Sequence, residues 1–446
     1  MSRKIDVLKM MAPLLIVLAG SVQAQEIHRF SVKQAIEYGT KNSVQVKNAL
    51  LDYRIQEQVN RGVTSQALPQ LTGAAGITDN FIIPTTLIPG EFVGQPAGTF
   101  VPLQFGTQYN TNGSVTLKQI LFDGQVFVGL QARQTALDFY TKNREVTEQS
   151  LRANIYKVYY QLLLSSTQMA LINANIANAE ELLHNTTAMY KNGFAEKLDV
   201  DKASVQLANM ETEKIRTIFN IDNGYLGLKV LLGMPIRDSL VLTDTLTYEM
   251  VRDASLTDTL GHYTDRRDYQ LLELNKKLNE YDIKRYRKTY IPTLSLTVNY
   301  AQNAYGEQWQ IFKSGVWYGS AYGGLNISIP IFDGFYRDAN VQKAKLTLRQ
   351  TENQMEALKI SIDNDVKQAQ LRFAAAMETL NVQRKNMDLA QSVYDQTRKK
   401  FEQGVGSNTE ITTAQTDLRQ AQTNYFTALY NTVVAKIDYQ NAIGKL

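Results

Sequence analysis

The chain has 446 residues and no cysteine, which excludes a disulfide framework, a thiolate metal site and a lipid anchor on an N-terminal cysteine. Proline is scarce and confined to Pro13, Pro69, Pro84, Pro89, Pro96, Pro102, Pro235, Pro292 and Pro330. Because proline costs about 3 kcal/mol inside a helix, the proline-free stretches 124–234 and 331–446 are where long helices can run. The histidines, His28, His184 and His262, are isolated and lack metal-ligand spacing. Charge of either sign is also missing in excess: 47 Lys and Arg against 43 Asp and Glu give +4. Removing residues 1–24, with Arg3, Lys4 and Lys9 against Asp6, leaves +2. No basic stripe remains for nucleic acid. Carboxylate pairs such as Asp199 with Asp201 have no neighbouring base, nucleophile or glycine-rich phosphate loop. No catalytic, cofactor-binding or metal-ligating residue is therefore singled out, and neither enzyme activity nor a cofactor is expected.

What is present is a seven-residue rhythm. In 335–402 apolar or small residues recur as Val341, Leu348, Met355, Ile362, Ala369 and Ala376, then as Val366, Phe373, Leu380, Met387, Tyr394 and Phe401. Such a narrow stripe is a coiled-coil seam, not the broad face of a globular-core helix. At about 1.5 Å per residue that rod is on the order of 100 Å long. The plan occurs twice. Phe122 parallels Phe332, Tyr190 Phe401, Gly193 Gly404, Asp199 Glu410, Val200 Ile411, Ala203 Ala414 and Gly233 Gly444, at a nearly constant offset. An internal duplication follows. It divides the chain into residues 1–24, a first repeat 25–235, an equatorial mixed connector 236–268 and a second repeat 269–446. Each repeat consists of a helix, a strand pair and a long helical hairpin.

Residues 1–24 run from basic through apolar to small residues, the order of a secretory signal peptide, with cleavage expected after Ala24. A retained membrane anchor is the alternative, although the apolar run is short for a span. Residues 30–66 read as a helix, with Ser31 as N-cap and Ile36, Val44, Leu51, Ile55 and Val59 near one face. Strands follow at 71–83 and 114–122, joined by a long outer loop rich in Pro, Gly and Phe. The second half alternates more cleanly, with Leu294, Leu296, Val298 and Tyr300 on one side of a strand and Leu325, Ile327, Ile329 and Ile331 on one side of the next. Between these strands lie Trp309, Trp317, Tyr318 and Tyr322, amphipathic rings that suggest a membrane-interface belt. A two-layer soluble core is the competing reading. After Ala24 no apolar run approaches the roughly 20 residues of a spanning helix, so a membrane crossing by the exported chain would use strands. Four strands cannot close a barrel, and open edges in lipid leave backbone groups unsatisfied, so several copies would have to share one barrel.

Particular motifs mark both halves. Leu68-Pro69-Gln70-Leu71 and Ile291-Pro292-Thr293-Leu294 precede the first strand, and Phe122-Asp123-Gly124 and Phe332-Asp333-Gly334 re-enter the rod. Tyr190-Lys191-Asn192-Gly193 and Phe401-Glu402-Gln403-Gly404 reach the rod tips, and Asp199-Val200 and Glu410-Ile411 follow them. In order and duplication, over essentially the whole chain after residue 24, this set resembles the TolC family of outer-membrane efflux and secretion channels. Arg266-Arg267-Asp268 resembles a family element that usually has proline where Arg267 stands.

The resemblance implies a mainly α chain with a small β part. A homotrimer would build a 12-stranded barrel in outer-membrane lipid, four strands per chain, continued by a hollow coiled-coil barrel across the periplasm. A periplasmic adaptor and an inner-membrane transporter would complete the conduit for efflux or secretion. Carried over residue by residue, Asp199, Glu410, Tyr190 and Phe401 lie near the periplasmic constriction, and Gly193, Phe194, Gly404 and Val405 form the tips that touch the adaptor. Phe401 lacks a hydroxyl, Gly406 stands where some members have a gate-locking arginine, and Thr413 where some have a second acid. Two alternatives remain at this level. A solid coiled-coil bundle would use the same seams, and a periplasmic scaffold or adaptor without a pore would need the rods but not the strands. At the tips, helix capping alone accounts for the two acids, and a plain turn accounts for the two glycines.

Overall fold

A computed structural model describes residues 27–252, 263–309, 313 and 315–446. The expected signal segment and its cleavage site at Ala24 lie outside the described residues, as do 253–262 of the connector. The elements begin with strand β1 (Ile27–Phe30), helices α1 (Val32–Asn42) and α2 (Val44–Ser65), and strands β2 (Gln70–Asp79), β3 (Thr85–Pro89), β4 (Phe100–Gln104) and β5 (Tyr109–Phe122). Helices α3 (Gly124–Lys191) and α4 (Lys197–Leu232), strand β6 (Ser239–Leu242), the one-turn helix α5 (Glu249–Arg252) and helix α6 (Arg267–Lys288) follow. The chain ends with β7 (Thr293–Gly306), β8 (Trp317–Ser328), α7 (Tyr336–Glu402) and α8 (Asn408–Ala442). The rods are as long as the proline-free stretches allow: 68 residues in α3 and 67 in α7, returning through 36 in α4 and 35 in α8. Every position of the two seven-residue series in α7 is buried or half-buried.

Local chemistry explains most boundaries. Ser31 caps α1 as expected: its hydroxyl accepts from the Gln34 N–H at 3.4 Å, and the Gln34 side chain accepts from the Ser31 N–H at 2.9 Å. The single helix expected over 30–66 is instead broken at Ser43, whose backbone is extended at ψ 134°. A Cβ on Gly233, which holds φ +68°, would lie 2.4 Å from the Asn42 carbonyl oxygen, so the break lies where two backbones approach each other. The expected long outer loop contains a hairpin, β3 against β4, with Leu87 opposite Pro102 and Pro89 opposite Phe100. Those prolines disguised it, being tolerated only because the pair is two-stranded. Likewise β8 stops at Ser328, short of Ile329 and Ile331, because Pro330 has no N–H to give a ladder.

The chain forms two compact units, and each draws on both halves of the sequence. One comprises Met1–Ser43, Leu151–Ala254 and Ala375–Ala435. In it β1 pairs in parallel with β6, and the buried Tyr159 hydroxyl donates to the Phe30 carbonyl at 2.8 Å. The Asp244 carboxylate accepts from the Val32 N–H at 2.7 Å, and the Asp244 N–H donates to the Tyr159 hydroxyl oxygen at 3.4 Å. Burial pushes the Tyr159 hydroxyl up to about 12 and raises that of Tyr160 as well. The other unit comprises Val44–Ser150, Ser255–Ala374 and Lys436–Leu446. Its sheet has the antiparallel order β2-β5-β7-β8. Here Tyr269 of α6 packs on Met355 and Ile362 of α7, and Ala369 on Tyr439, Ala442 and Ile443. Arg266 pairs with Asp268 at 2.7 Å and donates to the Ala442 carbonyl, while Arg267 donates to the Gln149 side-chain oxygen at 3.0 Å. A proline at 267 could make no such bond.

Candidate functional site

The four-stranded sheet has two chemically different faces. Register aligns Leu71, Leu117, Val298 and Gly323 across all four strands, and next to them Gly73, Val115, Tyr300 and Ala321. Leu294 with Ile327 and Leu296 with Leu325 extend the same face. The opposite face presents Thr72, Thr116, Asn299 and Tyr322 in one row. Asn299 donates to the Thr116 hydroxyl at 2.7 Å and Asn326 to the Thr297 hydroxyl at 3.0 Å. The chain covers neither face: Leu71, Val115, Tyr300, Leu325 and Ile327 are exposed on the apolar side, and Thr72 and Tyr322 on the polar side. A two-layer soluble core would have buried one of them. Among the described residues, β2 pairs only with β5 and β8 only with β7, leaving two open edges.

The expected aromatic belt divides between these faces. Trp317 lies opposite Ala304 on the apolar face, whereas alternation puts Tyr318, opposite Asn303, and Tyr322, opposite Asn299, on the polar one. Trp309 follows β7 and meets Tyr109 edge to face at 5.7 Å between ring centroids.

At the far ends of α3 and α7 the chain turns on left-handed glycines, Gly193 at φ +80° and Gly404 at φ +74°. The Phe194 N–H donates to the Met189 carbonyl at 2.8 Å and the Val405 N–H to the Lys400 carbonyl at 3.0 Å, six-to-one closures that need glycine at the preceding position. Both following residues stand out in solvent, Phe194 at 80% and Val405 at 76% exposure. The Asp199 carboxylate accepts from the Glu196 N–H at 3.3 Å in the first turn of α4. Glu410, in the first turn of α8, is exposed, and Ser407 caps that helix instead. The two expected rings part company. Phe401 is buried with Leu182, Tyr394, Ile411, Ala414 and Leu418, and Tyr190 is exposed. Gly406 leaves no room for a side chain, since a Cβ would lie 2.9 Å from the Phe401 nitrogen. Thr413 folds its hydroxyl back to the Thr409 carbonyl at 2.9 Å.

Sequence reasoning missed the polar links between rods. Asn408 donates to the Asp199 carbonyl at 3.4 Å, Gln206 to the Gln415 side-chain oxygen at 3.2 Å, and Arg419 to Glu213 at 2.7 Å. Positions 199, 206 and 213 step along α4 by seven, a signal a search for polar seams would have found. Arg398 bridges Glu181 at 3.2 Å and Glu402 at 2.8 Å. Beside the links, α4 and α8 line a cavity of about 500 Å³ that includes Leu198, Asp201, Val205, Met210, Thr412 and Arg419.

A second set of stripes is apolar and uncovered. On α4, Leu198, Val205, Ile215, Phe219, Leu226 and Val230 are exposed; on α7, Val382, Leu389 and Val393; on α2, Val44, Leu51, Ile55 and Val59. Most of their steps are of seven or four, those of helix seams, and within this chain each is left between 41% and 69% exposed.

The sequence profile of the outer membrane efflux protein family matches residues 101–234 and 265–445. The chain is similar to outer membrane protein TolC of Vibrio cholerae, at 20% identity over 75% of this chain and 77% of the relative. Outer membrane protein TolC of Escherichia coli is 21% identical over 75% and 70%. Among solved structures, CusC superposes with a TM-score of 0.76 at 16% identity, covering 93% of this chain and 92% of that one. The Campylobacter jejuni CmeC outer membrane channel gives 0.73 at 15% identity, covering 93% and 85%. The chain belongs to the outer membrane efflux protein family and is an outer-membrane channel for efflux, reaching into the periplasm.

Proposed function

We propose that three copies close into one conduit, with the four-stranded sheets forming a 12-stranded barrel in the outer membrane and the rods a hollow barrel below it. The observation that carries this reading is the uncovered sheet, apolar on one side, polar on the other and open at β2 and β8. In lipid, unpaired edge groups cost several kcal/mol each, and only closure removes them. The exposed stripes on α2, α4 and α7 serve as the seams between neighbouring copies. The halves 25–235 and 269–446, joined by the connector 236–268, act as repeats, so each copy supplies two near-equivalent sectors of wall. Flow is passive, without catalysis or cofactor, and an inner-membrane transporter chooses the cargo. A periplasmic adaptor docks on the tips at Gly193, Phe194, Gly404 and Val405. Asp199 and Glu410 ring the constriction with Tyr190 and Phe401 beside it, favouring cations and hindering anions. Trp309 and Trp317 mark the outer lipid interface; Tyr318 and Tyr322 belong with the polar side of the wall.

Purified protein in planar bilayers tests the reading, together with mass determination in detergent. Discrete conductance steps from a three-copy particle are expected. A monomer that washes from membranes with salt and passes no current would favour the pore-free scaffold.

A further inference from the structure

The helix-side end of the sheet carries an uncovered group of rings beside unpaired cations. Phe122 lies opposite Leu294 on the apolar face, its ring 5.6 Å from that of Phe127 in the first turn of α3. Across the second re-entry, Phe332 and Phe335 meet edge to face at 5.7 Å. All four are exposed. Phe335 also holds φ +67°, the one left-handed non-glycine backbone among the described residues. A bulky residue keeps that conformation only where its surroundings demand it.

The cations come from the last turn of α6. Arg285 is engaged, 2.9 Å from Asp282 and stacked over Tyr286. Arg287 and Lys288 are exposed and, among the described residues, have no carboxylate partner. No acidic residue occurs between Asp282 and Glu307. The stem of Lys288 lies against the re-entry turn, since a Cβ on Gly124 would come within 2.8 Å of the Lys288 Cβ. That places the Lys288 stem at Gly124, two residues after Phe122 and three before Phe127.

Rings that close an apolar strand face, followed at once by unpaired cations on flexible stems, match the order of a leaflet from acyl chain to phosphate. We infer that Arg287 and Lys288, with Phe122, Phe127, Phe332 and Phe335, seat an anionic phospholipid of the periplasmic leaflet. The inference rests on taking the apolar sheet face as the lipid face. The rings lie at the glycerol level, and the two cations hold the headgroup phosphate.

Native mass spectrometry of the full chain in detergent, titrated with phosphatidylglycerol or phosphatidylcholine, tests this. The wild type should retain phosphatidylglycerol preferentially, and R287Q/K288Q should reduce that preference by roughly thirty-fold, the scale of two surface cations. R287K/K288R, which keeps both charges, should restore it. Equal retention of the two lipids by the wild type, or an unchanged preference in R287Q/K288Q, overturns the seat. Loss of assembly in R287Q/K288Q with lipid preference intact assigns the pair to a neighbouring copy instead, which also overturns it. Conductance separates the two readings, because a conducting wild type without lipid preference removes the seat alone and a silent one removes the channel.

Discussion

Leu389 and Leu380 lie on the same helix and offer opposite tests of how α7 is used. They are nine positions apart, two and a half turns at 3.6 residues per turn, so they point in opposite directions. Leu380 is 0% exposed and Leu389 is 66% exposed. Fully burying a leucine is worth about 1.5–3 kcal/mol, so the two-thirds of Leu389 still in water represents about 1–2 kcal/mol per copy. Three equivalent seams would sum to about 3–6 kcal/mol, or roughly a hundred- to ten-thousand-fold in the association constant. Leu389→Asn should therefore leave the single chain folded, with a change within about 0.5 kcal/mol, while weakening assembly by that factor. Leu380→Asn should do the reverse, destabilising the chain itself by about 3–5 kcal/mol through a cavity and a buried amide. Helicity by circular dichroism and particle mass across a dilution series in detergent read the two effects separately. If Leu389→Asn assembles within threefold of the wild type, the exposed stripe is ordinary surface and the seam assignment is wrong.

Other consequences follow from the tips and the first unit. Asp199→Asn keeps an acceptor for the Glu196 N–H, so Asp199→Asn with Glu410→Gln should spare the helix starts. It should cut cation-over-anion preference in planar bilayers by roughly tenfold and raise closed-state current, the scale of several carboxylates about 10 Å away through one Debye length. Unchanged reversal potentials would remove both acids from the constriction. The Tyr159 hydroxyl titrates near 12 in the folded chain against 10.0 ordinarily, so its stabilising effect is complete below pH 10 and is lost as pH rises through about 12. Thermal midpoints should fall across that window, and less steeply in Tyr159→Phe; equal slopes would clear Tyr159 of the effect. Gly404→Ala meets open space and should lose only the left-handed penalty of about 1–2 kcal/mol, whereas Gly233→Ala also collides with the Asn42 carbonyl and should lose more. Urea midpoints that drop equally would refute the close approach.

The sequence made the rods legible because their determinants are local. Proline exclusion and the seven-residue stripe from Val341 to Phe401 each act within one or two turns, as does the Ser31 N-cap at the start of α1. The break at Ser43 has no such signature, since it lies against Gly233, almost two hundred positions away. Strand parity was only half visible. Alternation could be read along β7, but that Tyr318 and Tyr322 share a face with Asn299, and Trp317 does not, depends on which residue pairs with which. The tips were legible as glycine turns, and their fixings were not. Asn408, Gln415 and Arg419 find Asp199, Gln206 and Glu213 only when two rods lie side by side. The apolar residues of α2 were correctly grouped on one face, but in this chain that face looks outward, because a periodic pattern shows that a surface needs covering and not what covers it.

The links between α4 and α8 imply an uneven cohesion at the tip. Towards Leu182, Tyr394 and Phe401, α8 is held by alkyl and aromatic groups; towards α4 it is held by amides, a carboxylate and a guanidinium. Drawing α8 away from α4 would return those groups to water at about 0.5–1.5 kcal/mol per hydrogen bond. A mouth fastened in this way could be worked repeatedly, because each of its polar fastenings exchanges one partner for water and back again.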